Sequence, residues 1–347
     1  MDVALRYSRE SLMRDHPFAR PHEAAGRRLH GGLMEDGAYV SPRTLVRWPA
    51  VRAWGEALVA RGWPLIDASA ALLQRPGWPT FEQHKLLLEE GFGQTLWNSL
   101  TVTGIIEGRG QGLCRLDPPD LDAAIEDDIS ETATGHLAEG LLYAHGADEG
   151  GDPARPGEGG HDTMWFAVRD LVFGKGAYPI PEAPASIARE VDGREMPRVS
   201  EGLEQFVKFL MNVLMIEIRA ESFFALCCAL FRDPDLFTDR REEAQLAATL
   251  VERIRADEAV HVAYLQTTIS EMRAFTWRAS GGGSVAGAET IDPVWAKMVA
   301  WHGRTERELA AARGRSALEA QLVAARGATG AASLVVRFDD LEARALA

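Results

Sequence analysis

Cysteine is scarce in this chain. Cys114, Cys227 and Cys228 are the only three in 347 residues, too few for a disulfide framework, which points to a reduced intracellular compartment. The first ten residues, M-D-V-A-L-R-Y-S-R-E, lack the apolar core of a signal peptide, so a cytoplasmic protein is expected. Basic charge is also short: 37 Lys and Arg face 51 Asp and Glu, for a formal net charge of -14, with no concentrated basic run. That argues against nucleic acid or an anionic membrane as the main partner. The longest apolar run, 206–231, is interrupted by Lys208, Glu217, Arg219 and Glu221 and reads as a buried helix of a soluble protein. Alternating strand patterns are nearly missing, as are G-x-S-x-G, a P-loop and C-x-x-C. The Gly-rich stretches 146–160 and 280–283 lack the strand-then-helix setting of a nucleotide site. These absences leave a helical protein whose chemistry must lie in side chains carried on helices.

Along the chain, residues 1–40 show no sustained period, and His16, His22 and His30 read as surface residues. A helical pattern starts at Ser41 and stops at Gly62; Pro76, Gly77 and Pro79 close this N-terminal helical extension, 1–79. Thr80 caps a helix predicted over 80–108, in which Gly91, Gly93 and Gly104 make a single straight piece doubtful. Asp120 opens a second, 120–147. The loop-like, Gly- and Pro-rich 146–160, a short amphipathic helix (164–173) and a Pro-rich stretch to Arg198 form a long crossover, 147–199. Two more helices, 200–232 and 238–275, follow on either side of Asp233-Pro234-Asp235. S-G-G-G-S around Gly282 reads as a linker to a C-terminal helical segment, 279–347.

The helix from Ser200 is apolar on nearly every face, yet Glu217 and Glu221 sit in its middle, one turn apart. A buried carboxylate needs a cation, a metal or a proton. The next helix carries R-A-D-E-A-V-H, in which Glu258 and His261 are three apart, about 60° of rotation, so both can converge on one point. On the second helix Asp128, Glu131, His136 and Glu139 fall within an arc of about 140°. His136-x-x-Glu139 could present the same two ligand types in reverse order, with Glu107, or else Glu90 or Glu89, as partner on the first helix. The competing readings are an ion pair for Glu217 and Glu221, with Arg219, Arg253 or Arg255, and a solvated helix face for His136 and Glu139. His145, His161 and His302 have no evident partner in the sequence.

A Glu in mid-helix followed by Asp257-Glu258-x-x-His261 resembles the ferritin-like di-metal carboxylate superfamily, which includes ribonucleotide reductase small subunits, di-iron monooxygenases, rubrerythrins and N-oxygenases. The resemblance implies an all-α fold, a ferritin-like four-helix bundle over 80–278 with N-terminal and C-terminal helical additions. It implies metal ligands at Glu258 and His261 and at Glu221 or Glu217, with Asp257 orienting a ligand histidine. It further implies two Fe ions (or Mn, or a mixed Mn/Fe pair), dioxygen and a partly apolar small-molecule substrate as reactants, and a reductase or ferredoxin as electron donor. Bundles of this kind commonly dimerise, so a homodimer is part of the expectation. The sequence departs from the superfamily pattern in lacking Glu-x-x-His on the second helix. That departure supports the alternative of a degenerate bundle acting as a scaffold; a metal-handling bundle without substrate is a further alternative, against which the length of chain outside the bundle argues. The leading expectation is a di-metal oxidase or oxygenase.

Overall fold

The computed structural model describes residues 5–346, and α-helix dominates it. In chain order the main helices are α1 (Thr44–Ala60), α2 (Phe81–Glu89), α3 (Gln94–Gly110), α4 (Leu142–Gly150) and α5 (His161–Phe173). They continue with α6 (Glu201–Arg232), α7 (Arg241–Ala274), α8 (Gly287–Ala300) and α9 (Glu306–Leu346), the last broken at Gly327. No helix of the described residues is long and apolar enough to cross a membrane.

The α6–α7 hairpin is the centre of the molecule. Ser200 caps α6, its hydroxyl accepting from the Leu203 amide at 3.3 Å, and Asp233 and Pro234 end it. On both helices the buried face is apolar on either side of a polar middle. On α6, Leu210, Leu214 and Ile218 enter one core cluster, while Phe224, Cys227 and Phe231 enter another. On α7, Val251 and Ile254 belong to the second cluster and Leu265 and Ile269 to the first. Glu217, Asp257, Glu258 and His261 therefore lie buried at the seam between two apolar cores. The hairpin and these boundaries agree with the sequence reading to within a few residues.

The other half differs from expectation. The helix predicted over 80–108 is two helices, because Thr80 and Gln83 form a capping box that starts α2 and Gly91, at φ +84°, ends it. The helix predicted over 120–147 is absent over most of its length. One turn at Leu121–Ala124 is followed by a backbone bridge from Ile125 to Trp277 and by irregular turns up to Leu141. Two features oppose a regular helix there. Glu271 of α7 takes the Ala133 and Thr134 amides at 3.0 and 2.8 Å, and Gly140 adopts φ +131°. Helix resumes in α4 and runs on to Gly150, into the stretch read as loop. Helix α5, expected as part of the crossover, is an inner helix packed on α3 and α7 with Met164, Trp165 and Val168 fully buried.

Short strands complete the fold. β1 (Arg20–Ala24), β2 (Arg27–Leu33) and β3 (Tyr39–Val40) form an antiparallel sheet whose first turn is the two-residue Ala25-Gly26, both at positive φ. His22 and His30 point inward from it and are buried, not surface-exposed as the sequence suggested. β4 (Thr276–Arg278) and β5 (Ser284–Ala286) pair across the expected S-G-G-G-S linker, which is a hairpin turn.

Candidate metal centre

Seven side chains meet at the seam. Glu107 comes from the last turns of α3, His145 and Glu149 from α4, His161 from the first residue of α5, Glu217 from α6, and Glu258 and His261 from α7. Their donor atoms form two groups that share one residue. Glu107, Glu149, His161 and Glu258 make the first, and His145, Glu149, Glu217 and His261 the second. Within each group the ligand atoms lie within 4.8 Å of one another, and all are buried. Glu149 is placed to bridge.

Close contacts are few and centred on the imidazoles. His161 Nδ1 is 3.0 Å from Glu258, 3.3 Å from Glu149 and 3.6 Å from Glu107. His261 Nδ1 is 2.8 Å from the other Glu258 oxygen and 3.3 Å from Glu149. His145 Nε2 is 3.1 Å from Glu217 and 3.6 Å from Glu149. His145 and His261 stack at 3.8 Å between centroids.

Each imidazole is held from behind by its other nitrogen. His161 Nε2 faces Asp257 at 3.2 Å, His261 Nε2 faces Asp148 at 3.2 Å, and His145 Nδ1 meets the Tyr264 hydroxyl at 2.8 Å. Such outer contacts fix the tautomer so that a lone pair points at a metal. Asp148 is itself anchored by Arg43 and Arg47, each at 2.6 Å, and Asp257 accepts from the Tyr39 hydroxyl of β3 at 2.7 Å. His30 of β2 sits 3.4 and 3.6 Å from these two aspartates, and with His161 and Asp257 it forms a third close group. The strands missed in the sequence thus close the outer side of the site.

Glycine makes the first half fit. A Cβ at Gly110 would stand 2.7 Å from the Glu149 side chain, and one at Gly104 would stand 2.7 Å from the Phe166 ring, so α3 approaches α4 and α5 as only glycine allows.

The electrostatics ask for cations. Glu107 Oε2, Glu149 Oε1, Glu258 Oε1 and His161 Nδ1 lie buried near one another but make no well-aligned hydrogen bond, a costly state for polar atoms unless something binds them. Protons compete with a cation for these oxygens. Burial, followed by the Glu258 charge, pushes Glu217 up to about 7. Burial also raises Glu258 to about 7, and burial with the Glu107 and Glu258 charges takes Glu149 well above the usual range. Burial alone would lower His161, but the surrounding carboxylates outweigh it and raise its pKa well above the usual value. Burial and the neighbouring His261 take His145 down to about 4, which leaves it neutral. Arg43 and Arg47 both pair with Asp148, and Asp257 faces His161, His30 and Tyr39; the cluster itself then holds four glutamates, whose charges two divalent ions would balance. The carboxylate and imidazole set suits Fe, Mn or Zn rather than Ca or Mg alone.

Of the residues expected from the sequence, Glu107, Glu217, Glu258 and His261 are brought together, and Asp257 stands behind His161. Glu221 is not among them. It is half-exposed and ion-paired with Arg255, with one contact at 3.0 Å, because it lies one turn on from Glu217 and faces the rim. His136 spends both ring nitrogens elsewhere, accepting from the Tyr7 amide at 2.9 Å and meeting the Thr132 carbonyl at 2.7 Å. Glu139 is exposed, since the irregular chain there turns it outward, and Glu90 pairs with Arg326 and Arg337. The residues missed are His145, Glu149 and His161. The i,i+4 spacing of the first two was readable, but they lay at and beyond the drawn helix end.

No protein-family model, curated protein or solved structure matches the chain.

Proposed function

We propose that this protein is a di-metal carboxylate oxidase or oxygenase with a ferritin-like arrangement of its central helices. In this reading a bound metal pair, Fe or Mn, would supply a place for dioxygen and the electrons that reduce it while an organic substrate is oxidised, with a reductase or ferredoxin replenishing those electrons. The observation that carries it is the pair of four-residue groups sharing Glu149, whose buried oxygens and imidazole nitrogen crowd one another without well-aligned hydrogen bonds. Glu107, Glu149, His161 and Glu258 would hold one ion, and His145, Glu149, Glu217 and His261 the other. Asp257 and Asp148 take the Nε2 protons of His161 and His261, and the Tyr264 oxygen takes the Nδ1 proton of His145, so each lone pair faces inward. The apolar cores above and below keep bulk water from the seam, which strengthens every charge interaction inside it.

The scaffold alternative drew its support from a missing Glu-x-x-His on the second helix. The presence of His145, Glu149 and His161 in the first half weakens that support. Metal analysis of protein from iron- and manganese-supplemented cells tests the proposal. About two equivalents per chain are expected, with one or both lost in Glu258→Ala; no metal in either protein would leave a helical scaffold.

A further inference from the structure

A cavity of about 580 Å³ opens between α2, α3, α6 and α9, and its inner wall includes Glu107. That volume is in the usual range of small-molecule sites, roughly 300–1,000 Å³. Its floor follows one face of α3 from Asn98 to Glu107, nine residues or about 14 Å at the helical rise. Val102, Ile106, Ile216 and Phe223 make the middle apolar. The α9 side is cationic. Arg219 of α6 and Arg313 share Glu306, at 3.4 and 3.3 Å. Arg307 has no carboxylate partner among the described residues; its Nε donates only to the Pro76 carbonyl, at 3.3 Å. Three guanidiniums against one carboxylate leave a net positive charge of two beside an apolar channel. Burial and then Arg219 pull Arg307 down to about 10, as expected of a cation lacking its anion. Two polar atoms of other residues lining the cavity, His84 Nδ1 on α2 and Asn98 Oδ1 on α3, are buried without partners.

We propose that this cavity binds a small amphiphile with an anionic head, carboxylate or phosphate, and an apolar body. The head pairs with Arg307 and Arg313, and the body lies along Val102, Ile106 and Phe223 toward Glu107. The carboxylate cluster at the inner end repels the head, so the ligand enters apolar end first. That the bound amphiphile is oxidised rests on the di-metal reading; that it binds does not.

The test uses the full chain, with decanoate, decyl phosphate and decanol titrated calorimetrically into metal-free and metal-supplemented protein. At least one anion should bind tenfold or more tighter than decanol, and which one identifies the head. Arg307→Gln should weaken the anion tenfold or more and leave decanol and metal content unchanged, whereas Arg307→Lys should keep most of the preference. Phe223→Trp, which fills the channel, should weaken all three. Equal affinity for decanol and both anions, no binding by any of them, or an unaltered anion affinity in Arg307→Gln would overturn the proposal. Anion-selective binding by a protein that takes up no metal would remove the oxygenase reading and leave this one standing. Two metal equivalents without head selectivity would do the reverse.

Discussion

The two halves of the proposed metal centre deliver their side chains in different ways. The second half, on α6 and α7, uses two long unbroken helices; Glu217, Glu258 and His261 are positioned by helical periodicity alone. The first half uses α3, α4 and α5, with a glycine-bounded loop between Glu149 and His161. There the positions depend on tertiary contacts: glycine approaches at α3, the Glu271 clamp on Ala133 and Thr134, and the sheet that carries His30 and Tyr39. One half is rigid by local structure and the other by packing. The periodic half should therefore keep its geometry under perturbation, while the packed half should fail first.

The largest effect is expected at the residue common to both halves. Glu149→Ala should abolish binding of both ions, and metal content by plasma emission spectroscopy checks this; retention of one full equivalent would mean that Glu149 does not bridge. Next, His161→Ala and His145→Ala should each lose about one equivalent, from different groups, and loss of both from either variant would show the groups to be a single cooperative unit. Third is the clamp. Glu271→Ala leaves two buried amides unpaired, at about 1–3 kcal/mol each, and urea unfolding should show that loss together with weaker metal binding. Its pH behaviour has a definite sign. Burial, against the Thr134 and Ala133 donors, raises Glu271 from 4.5 to about 7. A raised carboxyl supports folding fully below pH 4.5 and loses that support as pH climbs to about 7. Over that window the metal-free protein should lose on the order of 3 kcal/mol from this group, and Glu271→Gln should flatten the slope.

Smaller effects test the support of the histidines and the rim. Tyr264→Phe removes the hydroxyl behind His145, and affinity for the second ion should fall roughly 10- to 100-fold, as for other outer partners of metal-bound histidine. Glu221→Gln breaks only a half-exposed ion pair with Arg255, worth about 0–1 kcal/mol, and should leave metal content unchanged. A metal-deficient Glu221→Gln protein would move the centre one turn along α6.

The difference between the halves is also why the sequence discloses them unequally. Glu217, Glu258 and His261 stand out because charged residues in an apolar 3.6-residue pattern demand a reason. His145 and Glu149 obey the same logic, but a run of Gly and Asp after Glu149 hides the end of the helix that carries them. His161 gives no local signal, since nothing in G-G-H-D-T says that a glycine loop will turn it back onto Glu149. His136 and Glu139 had the right spacing on a helix that does not form. Spacing carries information only where the helix is real. The strands of 20–40 are too short for their alternation to rise above a polar background, so the burial of His22 and His30 was invisible.

The sequence by itself determined that the chain is mostly helical, that an apolar α6–α7 hairpin lies at its heart, and that buried carboxylates and a histidine sit on its inner faces. Those follow from periodicity and from the cost of burying charge, both local properties of the chain. Only the tertiary structure decided which histidines complete the cluster, that Glu217 and not Glu221 faces it, and that Glu107 links it to an apolar, arginine-flanked cavity. Those depend on where glycines let helices approach and where a distant carboxylate captures backbone amides, and neither is written in the spacing of any one segment.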